Sequence, residues 1–570
     1  MEKRFSKKQV YLVVGAILAA FIIRVLLIHL PGYERDIFWF KEWCFGTMKY
    51  GIAGIYANMW SDYPPGYFYI LKVIGLVYKV FYPTLREGTY LLQFLLKLPA
   101  ILADLGTAIL VFFLLRKKWK FSLAYLAMLA YVFNPAIFIN SAWWGQVDSV
   151  AAFVLFLSVY LLLEKKFRWS YVFLTVACLI KSQIIIFIPL FLYLTWRKND
   201  LRSVIQGINS ALTTALVILL PFAIRGNLRS VVSIYFGAVG NYPFASMNAH
   251  NLWWLITGGK GTIISDQFWV LNIATYKTLG LFLFFVVYAL LIVYLWRERK
   301  NEDIYFIFAL LSLSFYLLPT QMHERYIFPF FVFMVLSFEN GWVKKVVYGM
   351  ISLISASSLL AVLAATYPQN TPTLIRFFYS FPKITIIFSI INLIIFVYFL
   401  VIVLKRINKK ILLTFLGIIL IIIGGMFFKN KYSCQDLTKL SPIYSHQDWG
   451  ELHINKSVDN NRLSVDAFIY FKGLGTHANS EYQYHLNKNF RYFEADFGLD
   501  SESFCGDNKA RFKILGDSEL LYDSGIIGHQ LPKHIKVLVK GVNIMSLITE
   551  DGGDGIDCDH TDWLNPVLIP

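Results

Sequence analysis

A chain of 570 residues with a mean hydropathy of +0.56, 57% hydrophobic and only 16% charged residues, is too apolar for a soluble enzyme. The composition is that of a polytopic membrane protein, and 17% aromatic residues suit many water–lipid interfaces, where Trp and Tyr rings settle. The net charge of +17 does not imply nucleic acid. From residue 431 onward 13 Lys and Arg face 20 Asp and Glu, a net of −7, which leaves +24 on the preceding residues, concentrated in short loops between apolar runs.

The chain opens on "MEKRFSKK" and an apolar run over 9–30. That run is too long for the h-region of a cleaved signal and reads as an uncleaved first span. It is followed by "LPGYERDIFWFKEW" (30–43), a charged knot leading into an aromatic amphipathic stretch. Basic clusters at 116–120, 164–168, 196–202, 296–300, 343–345 and 405–410 mark cytoplasmic ends. Between them spans are expected near 121–140, 147–164, 206–224, 268–296, 304–319, 325–338, 346–366, 382–404 and 411–428. Residues 169–195 begin and end at basic flanks, so they read as two half-helices meeting at "KSQ" (181–183). Residues 64–115 cross once or three times, with Pro99 a candidate break. The total is 13 or 15 spans, with a cytoplasmic N-terminus. Asp36, "AWWGQVDS" (142–149), residues 225–266, "QMHER" (321–325) and the tail then share the outer face.

After residue 430 the texture changes to period-2 segments separated by Gly, Asp and Asn turns, such as "RYFEADFGLD", "ARFKILGD" and "IKVLVKGVN". Two domains follow: a multi-span part over 1–430 and an extracytoplasmic all-β sandwich or jelly roll over 431–570. "WG" (449–450), "FKGLGTHANSEYQYHL" (471–486), "LLYDSG" (520–525) and "EDGGDGIDCDHTDW" (550–563) together resemble the NPCBM family of carbohydrate-binding modules. The resemblance implies sugar binding, and the residue chemistry agrees: Trp stacks on sugar faces, while His and Asp bond hydroxyls. The candidates are Trp449, His477, Asp559, His560 and Trp563, against the plain alternative that His477 and Trp563 are core or turn residues. The acidic run Asp551, Asp554, Asp557, Asp559 and Asp562 lacks EF-hand spacing, and turn formation is the favoured reading over Ca²⁺; no metal or cofactor is expected. A disulfide between Cys505 and Cys558, both in turn regions of the module, is expected on an oxidising outer face.

In the multi-span part, an acidic residue after the first span, an aromatic amphipathic segment and "YANMWSDYPPGYFY" (56–69) resemble GT-C glycosyltransferases. The likeness is to dolichyl-phosphate-glucose glucosyltransferases and to bacterial relatives of the second GPI mannosyltransferase. It is extended by "NPAIFINSAWWGQVDS" (134–149), "IKSQ" (180–183), "YPFASMNAHNLWWL" (242–255) and "QMHERYIFP" (321–329), with Arg325 where the glucosyltransferases carry Lys. The resemblance implies transfer of a hexose, with inversion, from a polyprenyl-phosphate sugar to a surface or lipid-linked glycan at the outer face of the bilayer.

Such a reaction needs a carboxylate to take the proton of the attacking hydroxyl, and cations to neutralise the departing phosphate. Asp36 suits the first role; Arg325, His323 and Lys181 suit the second. Asp148, Gln146, Trp144, Tyr63, Asn248 and Asn251 are expected to contact substrate, and Glu324 and Arg35 to support the charges. Each has a plainer alternative: Asp36 pairing with Arg35, Asp148 favoured by a helix dipole, and the asparagines satisfying backbone. Arg24 and Lys97 are expected to snorkel, and Asp104 to be structural. A transporter or flippase with a glycan-binding tail is the rival class, but it calls for charged depth residues on both faces. A non-catalytic glycan sensor is the third.

Overall fold

The computed structural model describes the chain apart from residues 1–5, 86–87, 238–242, 271–273, 298–300, 339–340, 368–381, 408–434, 467, 504–507 and 530. Backbone contacts divide it into two compact units, Met1–Gly259 with Leu281–Asn408, and Lys260–Gly280 with Lys409–Pro570.

The first unit is helical. Its first helix, Lys7–Ile28, starts on a capping box in which Ser6 and Gln9 bond each other's backbone N–H at 3.2 Å. Among the described residues six helices are long and apolar enough to cross a membrane: Lys7–Ile28, Tyr90–Arg116, Leu201–Ile224, Tyr276–Trp296, Trp342–Thr366 and Lys383–Arg406. A seventh follows if Phe121–Val132 and Pro135–Trp144, bent by 40°, form one span. The charge pattern predicts 13 or 15 spans, and among the described residues the difference lies in helices shorter than the ~20 residues a bilayer needs. The expected span over 325–338, for example, is the eight-residue helix Phe328–Val335, and the one over 411–428 lies outside the described residues.

Two local corrections have clear causes. The run over 64–115, expected to cross once or three times, holds two helices, Gly66–Phe81 and Tyr90–Lys118, of which the second is long and apolar enough to cross. Thr89 caps the second through Leu92 N at 3.2 Å, and Pro99 is absorbed inside it. The helix expected from 268 starts at Tyr276, because Trp269–Val270 and Ala274–Thr275 pair as an antiparallel hairpin. Phe268 beside that hairpin lies 5.7 Å from the Phe468 ring and 5.6 Å from the Tyr470 ring, within the second unit. The half-helix break does fall at "KSQ": Phe167–Ile180 ends at Lys181, whose backbone is extended, and a 3-10 turn Ser182–Phe187 leads into Ile188–Lys198.

The second unit is a β-sandwich. One antiparallel sheet runs Lys533–Leu538, Tyr492–Leu499, His560–Ile569, Gly473–His477, His453–Ile454; the other runs Glu519–Ile527, Ala510–Gly516, Ile544–Asp551, Ser480–His485, Tyr444–Gln447. Alternation along Ala510–Gly516 buries Ala510, Phe512 and Ile514 while the intervening side chains stay partly open, as a strand with one face on a core requires. Facing rows from both sheets (Tyr482, Tyr484, Phe493, Phe497, Phe512, Leu547 and Trp563) close the core.

Candidate functional site

Asp36 lies in the first turn of the helix Glu34–Tyr50, where the N-terminal partial charge favours a carboxylate. That helix buries Ile37, Phe40, Trp43 and Cys44 on one face and leaves Phe38 exposed, so the packing fixes which way Asp36 points. Opposite it, Asn134 caps a helical turn that unwinds into the π-type turn Ile139–Trp144 and stops at Gly145, in the left-handed region at φ +89°. This turn delivers Trp144 Nε1 to Asp36 Oδ2 at 2.7 Å and Gln146 Nε2 to the same oxygen at 2.5 Å. Tyr63 donates its hydroxyl to Gln146 Oε1 at 2.9 Å, which orients the amide. Oδ1 of Asp36 carries no hydrogen bond among the described residues, and the side chain is 19% exposed.

Arg325 Nη2 is 4.0 Å from Asp36 Oδ2, and Nη1 donates to Glu324 Oε1 at 2.7 Å. The guanidinium lies over the Trp144 ring at 5.6 Å, and its buried Nε has no hydrogen-bond partner. Burial pushes the Glu324 carboxyl up, with Arg325 acting against that shift. Lys181, at the helix break, is paired with Asp148, which also accepts from Asn140 Nδ2 at 3.2 Å. Beside this pair opens a cavity whose walls are mainly apolar, among them Ile184, Phe187, Phe315 and Pro329.

The structure therefore brings Asp36, Trp144, Gln146, Tyr63, Arg325 and Glu324 together and sets Lys181 and Asp148 beside them. Several expectations change. Trp144 and Gln146, expected to contact substrate, each give an N–H to the Asp36 carboxylate, and Tyr63 bonds Gln146. Arg35 is exposed and forms no ion pair with Asp36 among the described residues. His323 is not a cation: burial holds its imidazole well below the usual range, and Arg325 and Lys181 add to the effect. Asn251 Oδ1 caps the helix Leu252–Ile256 through Trp254 N at 2.9 Å. Asn248, at φ +61°, has its backbone bridged to His323 and its carbonyl bonded by Ser358 at 2.9 Å. Arg24 and Lys97 do not snorkel; both are fully buried. Arg24 pairs with Asp104 at 3.0 Å, and Asp104 also accepts from Ser141 and Ser149 at 2.6 Å each, which fastens the turn on both sides of Trp144. Asp62 was overlooked: the loop before Pro64 places it within electrostatic reach of Asp36, Arg325 and Lys181, and burial pushes its carboxyl up. Its neighbour Tyr63 was the available signal.

In the β-sandwich, the Trp449 ring lies 5.4 Å from His560, nearly parallel, and 5.0 Å from His477, while the two histidines are 5.3 Å apart. Trp449 is 48% exposed, so the cluster presents an open aromatic face. Asp459 Oδ2 sits 3.3 Å from His560 Nδ1. Asp459, Glu502 and His560 hold ligand atoms within 4.8 Å of one another, and neither acid was foreseen. Trp563 and Asp559 do not join this face. Trp563 is fully buried, since its strand register points it inward against Phe497 and Phe512, and Asp559 is 1% exposed. In the acidic run, Asp551 closes a turn by accepting from Gly553 N at 2.5 Å. Cys558 is disulfide-bonded, and Cys505, its expected partner, lies outside the described residues; Cys44 and Cys178 are free and buried.

The helical part of the chain and the β-sandwich each match a family model, the first of a glycosyltransferase family and the second of a domain found in carbohydrate-binding modules. Residues 60–320 match the model of Glycosyltransferase family 87, and residues 434–569 match that of the NPCBM/NEW2 domain. The chain thus carries a region similar to glycosyltransferase family 87 followed by one similar to the NPCBM/NEW2 domain. Alpha-1,3-galactosidase B of Akkermansia muciniphila is 28% identical over 130 residues; the match covers 22% of this chain and 16% of that curated relative's length. A CBM51 module from Clostridium perfringens GH95, solved with methyl-galactose, is 31% identical over 24% of this chain and 99% of its own, with a TM-score of 0.23. Arabinosyltransferase EmbB from Mycobacterium smegmatis aligns over 100% of this chain and 65% of its own at 10% identity, with a TM-score of 0.32.

Proposed function

We propose that the protein transfers a hexose from a polyprenyl-phosphate sugar to a hydroxyl of a surface or lipid-linked glycan, with inversion, at the outer face of the membrane. The observation that carries this reading is the Asp36 carboxylate, held at Oδ2 by Trp144 and Gln146 with Oδ1 open, next to a guanidinium that retains an unpaired Nε donor. Asp36 Oδ1 takes the acceptor proton as the acceptor oxygen bonds to the anomeric carbon. The bond from that carbon to the phosphate oxygen breaks, and its electron pair leaves on the phosphate. Arg325, with Lys181 nearby, neutralises that charge, and the guanidinium fork suits a phosphate better than an ammonium would. The neutral His323 offers a hydrogen bond rather than a charge.

The N-terminus is cytoplasmic in this reading, and the β-sandwich extracytoplasmic. Its Trp449–His477–His560 face stacks on a glycan and so raises the local concentration of acceptor or product. The test is transfer from a panel of polyprenyl-phosphate hexoses to surface glycan by the purified protein. Asp36→Asn is expected to abolish transfer while the thermal transition is kept; full activity in that variant removes Asp36 from the role of base.

A further inference from the structure

Lys97 lies in the helix Tyr90–Lys118, is fully buried, and has no carboxylate partner among the described residues. Its Nζ donates to three carbonyls: Ile28 at 3.2 Å, Leu30 at 3.0 Å and Trp143 at 2.8 Å. Three bonds occupy all three donors of an ammonium. The first two acceptors belong to the end of the first helix, where unpaired carbonyls carry partial negative charge and a cation is favoured. The third belongs to the turn that delivers Trp144. Gln93, one helical turn earlier, reinforces the first pair, donating to Ile28 O at 2.5 Å and Leu30 O at 2.9 Å.

The two segments so joined leave little room to slide. Tyr33 N donates to Trp144 O at 3.2 Å, and their rings lie 4.9 Å apart. A Cβ added at Gly32 would come within 2.4 Å of Trp144 O. One added at Gly145 would come within 2.7 Å of Ile37 Cδ1 and 3.2 Å of Lys97 Cε. One segment carries Asp36; the other carries Trp144 and Gln146.

We propose that Lys97 is a positioning residue: its ammonium fastens the end of the first helix to the Trp143–Gly145 turn and thereby sets the register in which Trp144 and Gln146 meet Asp36. The consequence for turnover rests on the reading of Asp36 as base. The geometric claim does not, and the two are tested separately. A methionine at this position fills the same space and removes all three bonds, leaving Ile28 O and Leu30 O to Gln93 alone and the link to Trp143 O unmade.

Hydrogen–deuterium exchange on the full-length protein tests the geometry. In Lys97→Met, amides of residues 29–36 and 140–147 are expected to exchange at least about tenfold faster, the loss of one charge-assisted bond, with other helices unchanged. Unaltered exchange in both segments overturns the proposal, whether or not the protein transfers sugar. Turnover tests the consequence: Lys97→Met should lower kcat about tenfold with the donor KM unchanged. In a Trp144→Phe/Gln146→Ala background the same substitution should cost less than about twofold, because the groups it positions are gone. An equal loss in both backgrounds marks a merely structural lysine and overturns the role. If Lys97→Met does not fold, Lys97→Gln, which keeps two N–H donors, is read by the same two measurements. A wild type that transfers no hexose from any donor defeats the proposed function, and exchange still decides the positioning claim.

Discussion

Trp144 donates its indole N–H to Asp36 Oδ2 at 2.7 Å across 108 positions of sequence. An indole N–H is a donor with no acceptor capacity, and its single bond goes to Oδ2, while Oδ1 carries no hydrogen bond among the described residues. Trp144→Phe keeps the ring under Arg325 but removes this bond, and is expected to lower kcat about tenfold. Initial rates at saturating donor check this, and an unchanged kcat contradicts it.

Arg325 serves through geometry as much as charge, with one nitrogen on Glu324, its plane over Trp144 and Nε unpaired. Lys preserves the charge and loses the fork. Arg325→Lys is therefore expected to raise the donor KM at least about fivefold, as measured by titrating polyprenyl-phosphate hexose. A donor KM within experimental error of wild type would show that a point charge suffices.

The two tryptophans of the β-sandwich separate binding from folding. Trp449→Ala removes an exposed ring and is expected to abolish glycan binding while changing stability by less than ~0.5 kcal/mol. Trp563→Ala opens a core cavity and is expected to destabilise the sandwich by about 3–5 kcal/mol. Glycan pull-down and thermal unfolding of both variants check the pair; the reverse pattern would return Trp563 to the binding face.

Asp559 gives the sandwich a pH dependence of unusual sign. Burial, then Asp554, Asp551 and Asp557, push its carboxyl from 3.8 up to about 7. The folded state keeps a proton that the unfolded chain has already released, so this group stabilises at low pH and loses its contribution as pH rises through about 4 to 7. The unfolding temperature of the sandwich should fall from pH 5 to pH 8 by more in wild type than in Asp559→Asn. An identical fall in both assigns the dependence to other groups.

Much of this was legible before folding. Strand alternation announced the sandwich because a sheet with one buried face must repeat every two residues, as Ala510–Gly516 does. Asp36 stood out only through the family resemblance of the loops around it, since a carboxylate flanking an apolar run is ordinary, and the donors that hold it were not legible. Crossing counts were less legible, since charge marks where loops fall but not whether the intervening helix has the length to span: Phe328–Val335 is the clearest instance. Trp563 misled because a tryptophan in a glycan-module motif reads as a platform, and only strand register decides which face it takes.

By itself the sequence determined that this is a membrane chain with an all-β tail, and which loops carry the charged and aromatic residues, because apolar length and period are local properties. Tertiary structure decided what those residues do to one another. Helix packing turned Trp144 and Gln146 from expected substrate contacts into the donors that hold Asp36. Burial beside two cations made His323 neutral. A lysine expected to reach for the interface became a buried link among three carbonyls. Hydrogen-bond direction and desolvation depend on neighbours a hundred residues away, and no local pattern encodes them.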